Sequence, residues 1–378
     1  ENPNIILQLT KVFKSYLNKL FPSDKAELDE LWRQRVKYDA LNLKLAGKDW
    51  DDAKEILEKR YQRAIKRLTQ TQSEDVFQAV MNSFARSVEA HTSYLSPRNA
   101  ERFQMEMDLS FEGIGAVLQS EDDHTVIRSI VPGGPADQSK QIKPEDKIVG
   151  VAQDEDEFVD VVGWRLDEVV DQIRGPKGTK VNLEIIPAGS PSEHDTRTIT
   201  IVRNKVVLEE QAAKKDIIHV DRNGQDLKLG IIEIPAFYLD FDAYHRGDPK
   251  YTSTTSDVAK LLVELRKENI DGLVIDLRNN GGGSLLEVNK LVSLFINRGP
   301  TVQVRESSGR VSIEGDKFPG VLYAGPMAVM VNRFSASASE IFAGAMQDYG
   351  RALIVGDQTY GKGTVQTLLD LNHGKLKM

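Results

Sequence analysis

Gly272-Leu273-Val274-Ile275-Asp276-Leu277-Arg278-Asn279-Asn280-Gly281-Gly282-Gly283 decides how the second half of the chain is read. Residues 272–276 form a short apolar run that reads as a buried strand, and the glycines that follow break it. A helix over 285–295 comes next, its apolar positions recurring at three and four. The same order repeats outward from this stretch: strand 229–234, amphipathic helix 255–268, buried strand 327–331, helix 338–349 and strand 352–355. Strand alternating with helix predicts an α/β domain over residues 206–378 whose sheet is covered by helices. Residues 371–378 alternate like a strand still in progress, so this domain is expected to be incomplete at its C-terminus.

Upstream the style differs twice. Between 111 and 205, short β-rich runs (114–118, 125–131, 147–151, 180–187 and 197–203) alternate with Gly and Pro around one helix, 166–173, which predicts a small, partly open β-barrel. Residues 1–110 are rich in Leu, Lys, Glu and Arg with almost no Gly, and read as an all-helical packing domain. In it, Ala53, Ile56, Leu57, Tyr61, Ile65 and Leu68 mark one buried helix face, and Pro97 is expected to end the region. The whole is an α+β multidomain chain, as 378 residues suggest.

Composition removes several function classes. A formal net charge of −8 without a basic cluster disfavours a general nucleic-acid binder. Zero Cys excludes disulfides, thiolate metal sites and cysteine catalysis. His91, His124, His194, His219, His245 and His373 are scattered without zinc-site spacing, which argues against metal catalysis. The longest apolar runs are about half of what a bilayer crossing requires, so no transmembrane span is expected.

Three segments of the α/β domain could carry chemistry. The glycine run at 281–283 is either a tight strand-to-helix turn or a set of N–H groups facing a negative oxygen. In Ser335-Ala336-Ser337-Ala338-Ser339-Glu340, Ser337 and Glu340 have capping-box spacing. The alternative is a nucleophilic Ser337 whose oxyanion is held by the Ala338 N–H. In Tyr360-Gly361-Lys362-Gly363-Thr364-Val365-Gln366, the phosphate-loop pattern fails at Gly363, where a Ser or Thr is needed. Lys362 is then either an exposed loop lysine or a base. A lysine acting as base near neutrality needs its pKa brought from about 10.4 toward about 7 to 8, which burial supplies.

These motifs together resemble the C-terminal processing peptidases, in particular their bacterial tail-specific members, over nearly the whole chain. The resemblance implies a ClpP/crotonase-like serine protease domain, a PDZ-like module at 111–205 and a helical N-terminal domain. It makes Ser337 the nucleophile, Lys362 the general base and Gln366 the group orienting it, with Ala338 and Gly282 supplying oxyanion donors and no cofactor. The PDZ carboxylate-binding loop is similar to Phe111, Gly113, Ile114, Gly115 and Ala116, which would take protein or peptide substrates with apolar C-termini. The resemblance also implies the periplasm of a Gram-negative bacterium, at the inner-membrane surface, and leaves room for an envelope adaptor protein. Relatives of this kind continue well past the position of Met378, so the chain is expected to be truncated. The competing readings are a non-catalytic PDZ-type peptide-binding scaffold and, more remotely, a P-loop nucleotidase.

Overall fold

The structure, a computed structural model, describes residues 22–192, 194–316 and 320–378. The first 21 residues of the expected helical region lie outside these. Two compact units are present, Glu1–Phe77 and Gln78–Met378, so the division falls within the region read as one helical domain up to 110.

In the first unit, α1 (Lys25–Leu45) and α2 (Trp50–Thr69) start behind Asp24 and Asp49. Each aspartate accepts a first-turn N–H at 2.8 Å, the usual N-cap arrangement. Trp32 meets Tyr61 edge to face, and the Tyr61 hydroxyl donates to buried Asp39 at 3.0 Å. Ala53 and Leu57 are buried as expected, but Ile65 and Leu68 are 61% and 74% exposed. The predicted stripe is therefore covered over its N-terminal half only. Helix α3 (Ser73–Val88) crosses from the first unit into the second.

The second unit opens with β1 (Ser93–Leu95) and α4 (Pro97–Asp108). Pro97 starts a helix where it was expected to end the helical region. At the first helical position the missing N–H costs nothing and the ring presets φ. The PDZ-like region then runs β2 (Ser110–Gly113), β3 (Ala116–Glu121), β4 (His124–Ile130), α5 (Pro135–Ser139), β5 (Lys147–Gln153), β6 (Val159–Asp160), α6 (Leu166–Ile173), β7 (Lys180–Ile186), β8 (Arg197–Val202) and β9 (Asn204–Val207). Its main sheet has the order β3-β4-β5-β7-β8, while β2 pairs with β9 as a separate ribbon. Ile127, Ile148, Val169, Leu183 and Ile201 fill the core between sheet and helices. Strand β3 pairs on one side only.

The α/β region consists of β10 (Lys214–Arg222), β11 (Gln225–Glu233), α7 (Phe241–His245), α8 (Thr254–Lys267), β12 (Gly272–Asp276), α9 (Leu285–Ser293), β13 (Gly299–Arg305), β14 (Val311–Asp316), β15 (Met327–Val331), α10 (Ala338–Asp348), β16 (Leu353–Gly356), β17 (Leu368–Asp370) and β18 (Lys375–Lys377). One sheet has the order β10-β11-β12-β15-β16, with β11, β12, β15 and β16 parallel. Ile275, Val329, Leu291 and Phe342 are fully buried between it and its helices. Hairpin β10–β11 turns at Asn223-Gly224, both at positive φ, which suits the twist of a two-residue turn.

A third sheet joins β1 to β18 and β17. The single strand expected over 371–378 is instead a hairpin, with Leu371 N–H donating to the Gly374 carbonyl at 3.1 Å. Gly374 has φ 74, and a Cβ there would stand 2.2 Å from the Leu95 carbonyl oxygen. Only glycine lets the chain turn back so close to β1.

Candidate active site

Strands β12 and β15 are parallel neighbours, so the loops leaving their C-terminal ends lie side by side. That is where open α/β sheets place ligands. Asn332 Nδ2 donates to Asn279 Oδ1 at 2.9 Å, and Ala336 N–H donates to the Asn280 carbonyl at 3.0 Å. Ser335 Oγ donates to the Leu277 carbonyl at 2.7 Å and Ser339 Oγ to the Asn280 carbonyl at 2.9 Å. Both of these serines are fully buried. Ser337, between them, is only partly buried. Of three alternating serines, two stitch the loops together and the middle one faces accessible space.

Ser337 has φ 57 and ψ −114, a conformation that costs a non-glycine residue about 1–3 kcal/mol and persists only where surroundings impose it. Its N–H donates to Glu340 Oε2 at 2.8 Å. Its carbonyl accepts the N–H groups of Glu340 and Ile341 at 2.9 and 3.0 Å. The Glu340 N–H thus has a backbone partner that does not require the Ser337 hydroxyl, although the two residues keep the geometry of a capping box.

Glu340 does more than the capping spacing suggests. Its carboxylate also accepts from the N–H groups of Gly361 at 2.6 Å and Lys362 at 2.9 Å, and from the Thr359 side chain. Burial alone would push this carboxyl up; the hydrogen bonds from Thr359, Gly361, Lys362 and Ser337 outweigh it and hold the group below the usual range. One charged side chain therefore draws the serine turn and the lysine loop together, assisted by Tyr360 N–H on the Ser335 carbonyl at 3.0 Å. Lys362 is half-buried, and its ammonium donates to Gln366 Oε1 at 3.0 Å. Gln366 in turn donates from Nε2 to the His91 carbonyl at 2.5 Å. In this arrangement the ammonium is turned to Gln366 and not to Ser337.

Gly282 is brought against the serine. At φ 103, a Cβ on it would lie 2.8 Å from Ser337 Cβ and 3.1 Å from Ala338 N. Its own N–H, however, donates to Asn280 Oδ1 at 2.8 Å, whereas Ala338 N–H, at the first helical position, has no acceptor among the described residues. Gly282 acts here as the spacer that lets the two loops meet. Gly282→Ala is expected to force the two loops apart and to cost about 1–3 kcal/mol of stability, since a side chain at φ 103 is strained and meets Ser337 Cβ at 2.8 Å. Urea midpoints of the purified variant and parent check this.

Three family models match the chain: a tail specific protease N-terminal domain over residues 11–98, a PDZ domain over 102–186, and peptidase family S41 over 228–377. The chain belongs to peptidase family S41. It is 49% identical to a tail-specific protease of Haemophilus influenzae over 93% of this chain and 48% of that protein. It is 33% identical to the carboxy-terminal processing protease CtpB of Bacillus subtilis, over 75% of this chain and 53% of that protein. A solved PDZ domain of a carboxy-terminal protease from Vibrio cholerae in complex with peptide is 56% identical, covering 26% of this chain and 98% of that one, with a TM-score of 0.25. The chain spans about half the length of the curated relatives it matches.

The S41 region thus holds Ser337, Ala338, Gly282, Lys362 and Gln366, while the PDZ domain holds the candidate tail site. Phe111 lies within β2, paired opposite Val206, so it flanks the turn and is not part of it. Ile114 is buried, and its carbonyl accepts Ala136 N–H at 2.8 Å. Gly115, at φ 77, presses on Gly134 and sends its carbonyl to Val131 N–H at 2.9 Å. Ala116 begins the edge strand β3, against which α6 packs. Arg98 of α4 pairs with Asp167 and, at 2.6 Å, with Asp171 on that helix.

Sequence reasoning passed over the wider role of Glu340, the buried Asn280 and the His91 carbonyl. Only Glu340 left a signal, its capping spacing. Among the described residues no helix is long and apolar enough to cross a membrane.

Proposed function

We propose that this protein is a serine endopeptidase that selects protein substrates by their C-terminal tails, with Ser337 as nucleophile and Lys362 as general base. The observation that carries this reading is the Glu340 carboxylate, which gathers the N–H groups of Ser337, Gly361 and Lys362 on one side chain. A structural loop lysine has no need of such a tether to a strained, accessible serine.

In the proposed reaction the neutral Lys362 amine turns from Gln366 to the Ser337 hydroxyl and takes its proton as Oγ attacks the scissile carbonyl. The oxyanion forms against the Ala338 N–H at the positive end of α10. Collapse expels the leaving amine, which receives the proton from the Lys362 ammonium. Water, deprotonated by the same amine, then releases the acyl group. Gln366 holds the amine in reach, and Gly282 leaves room for the substrate backbone. The tail would add to the open edge of β3, with its carboxylate on backbone N–H groups of the 113–116 turn and its last side chain in an apolar pocket. A periplasmic site of action and an envelope adaptor, implied by the family resemblance, belong to the same proposal.

The test is a matched series of one protein substrate ending in an apolar residue with a free carboxylate, in Asp, or in an amide. Each is incubated with the full-length protein and its Ser337→Ala variant and followed by mass spectrometry. The apolar free tail is expected to give kcat/KM about tenfold or more above the others at low concentration, since tethering raises local concentration. Ser337→Ala is expected to give no products. Equal cleavage by the two proteins removes Ser337 as nucleophile; equal cleavage of all tails removes tail selection.

A further inference from the structure

Two buried backbone donors in the 113–116 turn are left without a partner. Ile114 and Gly115 are buried, and their carbonyls accept from Ala136 and Val131. Their own N–H groups meet no acceptor among the described residues. Buried N–H groups that pair with nothing in their own chain are rare, and two in succession mark a place for a ligand oxygen.

Beside the turn stands a guanidinium in the same condition. Arg174 is the residue that ends α6, and its stem reaches Gly113, where a Cβ would lie 3.8 Å from Arg174 Cγ. Its head rests on the Phe111 ring of β2, 5.1 Å from the centroid, and turns one Nη toward Met105 Sδ of α4. Among the described residues no oxygen accepts from this guanidinium and no carboxylate stands within ion-pair distance of it. The neighbouring acids are engaged elsewhere. Asp171, on the same helix, pairs with Arg98 at 2.6 Å, and Glu112, between Phe111 and Gly113, accepts the Lys177 N–H at 2.9 Å. Burial opposes the charge on Arg174; Glu101 and Asp171 offset this only in part, and Arg102 adds to it. An apolar residue would cover Phe111 and Met105 equally well without a half-buried charge.

We infer that Arg174 is the cation that recognises the substrate's terminal carboxylate, completing with the N–H groups of Ile114 and Gly115 an anion site at the start of the open β3 edge. This rests on the reading of the PDZ domain as the tail site. It adds to the backbone donors a side chain that tells a charged terminus from a neutral one. Backbone N–H groups carry partial charges, whereas a guanidinium carries a full one, so its contribution requires an ionised terminus and is weakened by salt.

The experiment measures binding by the full-length Ser337→Ala protein, which serves as parent. The probe is a short fluorescein-labelled peptide with an apolar last residue, made as the free acid and as the amide and followed by fluorescence anisotropy. The parent is expected to bind the free acid about tenfold or more tighter than the amide at low salt. That ratio should shrink as NaCl is raised to about 0.5 M. Adding Arg174→Met is expected to weaken the free acid about tenfold and the amide by less than about twofold, with little salt response left in the ratio. Arg174→Lys keeps a charge without the planar fork and should lie between. An acid-to-amide ratio in folded Arg174→Met equal to that of the parent overturns the inference. If that variant does not fold, the parent alone decides, and a ratio that salt leaves unmoved overturns it. Failure of the tail reading shows differently: the parent then binds apolar and Asp-ended free acids alike and the acid no better than the amide, and the inference falls with it.

Discussion

Lys362→Ala and Lys362→Arg are each expected to lower kcat/KM of the full-length protein by about 1,000-fold or more, the size of effect expected from a general base, while both remain folded. The structure separates the two outcomes. What holds the loop in place is the Lys362 backbone N–H on Glu340, and substitution leaves it intact. What the side chain supplies is one part-buried hydrogen bond to Gln366. Losing that bond should cost about 1 kcal/mol of stability, too little to unfold a domain. Arginine keeps the charge and the donor capacity but cannot accept a proton near neutrality, so it should fare no better than alanine. Folded Lys362→Ala with a rate within tenfold of the parent would remove Lys362 as base.

Glu340→Ala is the second substitution with a large expected effect, and it should damage stability and rate together. The carboxylate accepts from three backbone N–H groups and the Thr359 side chain. Its loss strands partly buried donors and should cost about 2 kcal/mol. The same loss frees the lysine loop from the serine turn, so the rate should fall about 100-fold or more. Glu340→Gln retains one acceptor oxygen and should lie between. The pH dependence follows from the direction of the carboxyl's shift. A group held below its unfolded value contributes stability fully above that value, about 4.3 for Glu. The contribution is lost as pH falls through the lower folded value. The parent should therefore lose stability faster than Glu340→Gln between about pH 5 and pH 2, as urea midpoints across that range will show. Parallel loss in the two proteins would mean that Glu340 is not the group responsible.

The buried parallel strands were the most legible part of the chain. Runs 272–275 and 327–331 are apolar throughout because both faces are covered, and each lies within its strand. Helix 166–173 likewise carries its own pattern. Hairpin β10–β11 was read only over 229–234, because the solvent-facing residues of β10 dilute any apolar signal. The hairpin of β13 and β14 went unread; its apolar residues Val311 and Ile313 stay exposed, so no buried face imposes a pattern. The alternation of 371–378 hid a turn because Gly374 is required by its closeness to β1, a tertiary fact. At the site, the local motifs pointed to Ser337 and Lys362, and Gln366 came only with the family resemblance. Neither could single out a backbone carbonyl such as that of His91, which has no residue-type signature.

The bond from Gln366 to the His91 carbonyl joins residues 275 positions apart in sequence, and the β1–β18 pairing beside it joins Ser93 to Lys377. Closing so long a loop is slow and must come after the local contacts of each region have formed. During synthesis the serine turn and its helix can fold while the far strand is still unmade. The proposed lysine base would gain its support only when the hairpin at 368–377 returns to β1. A newly made chain would thus pass through a stage in which the serine turn has formed and the proposed base still lacks its support.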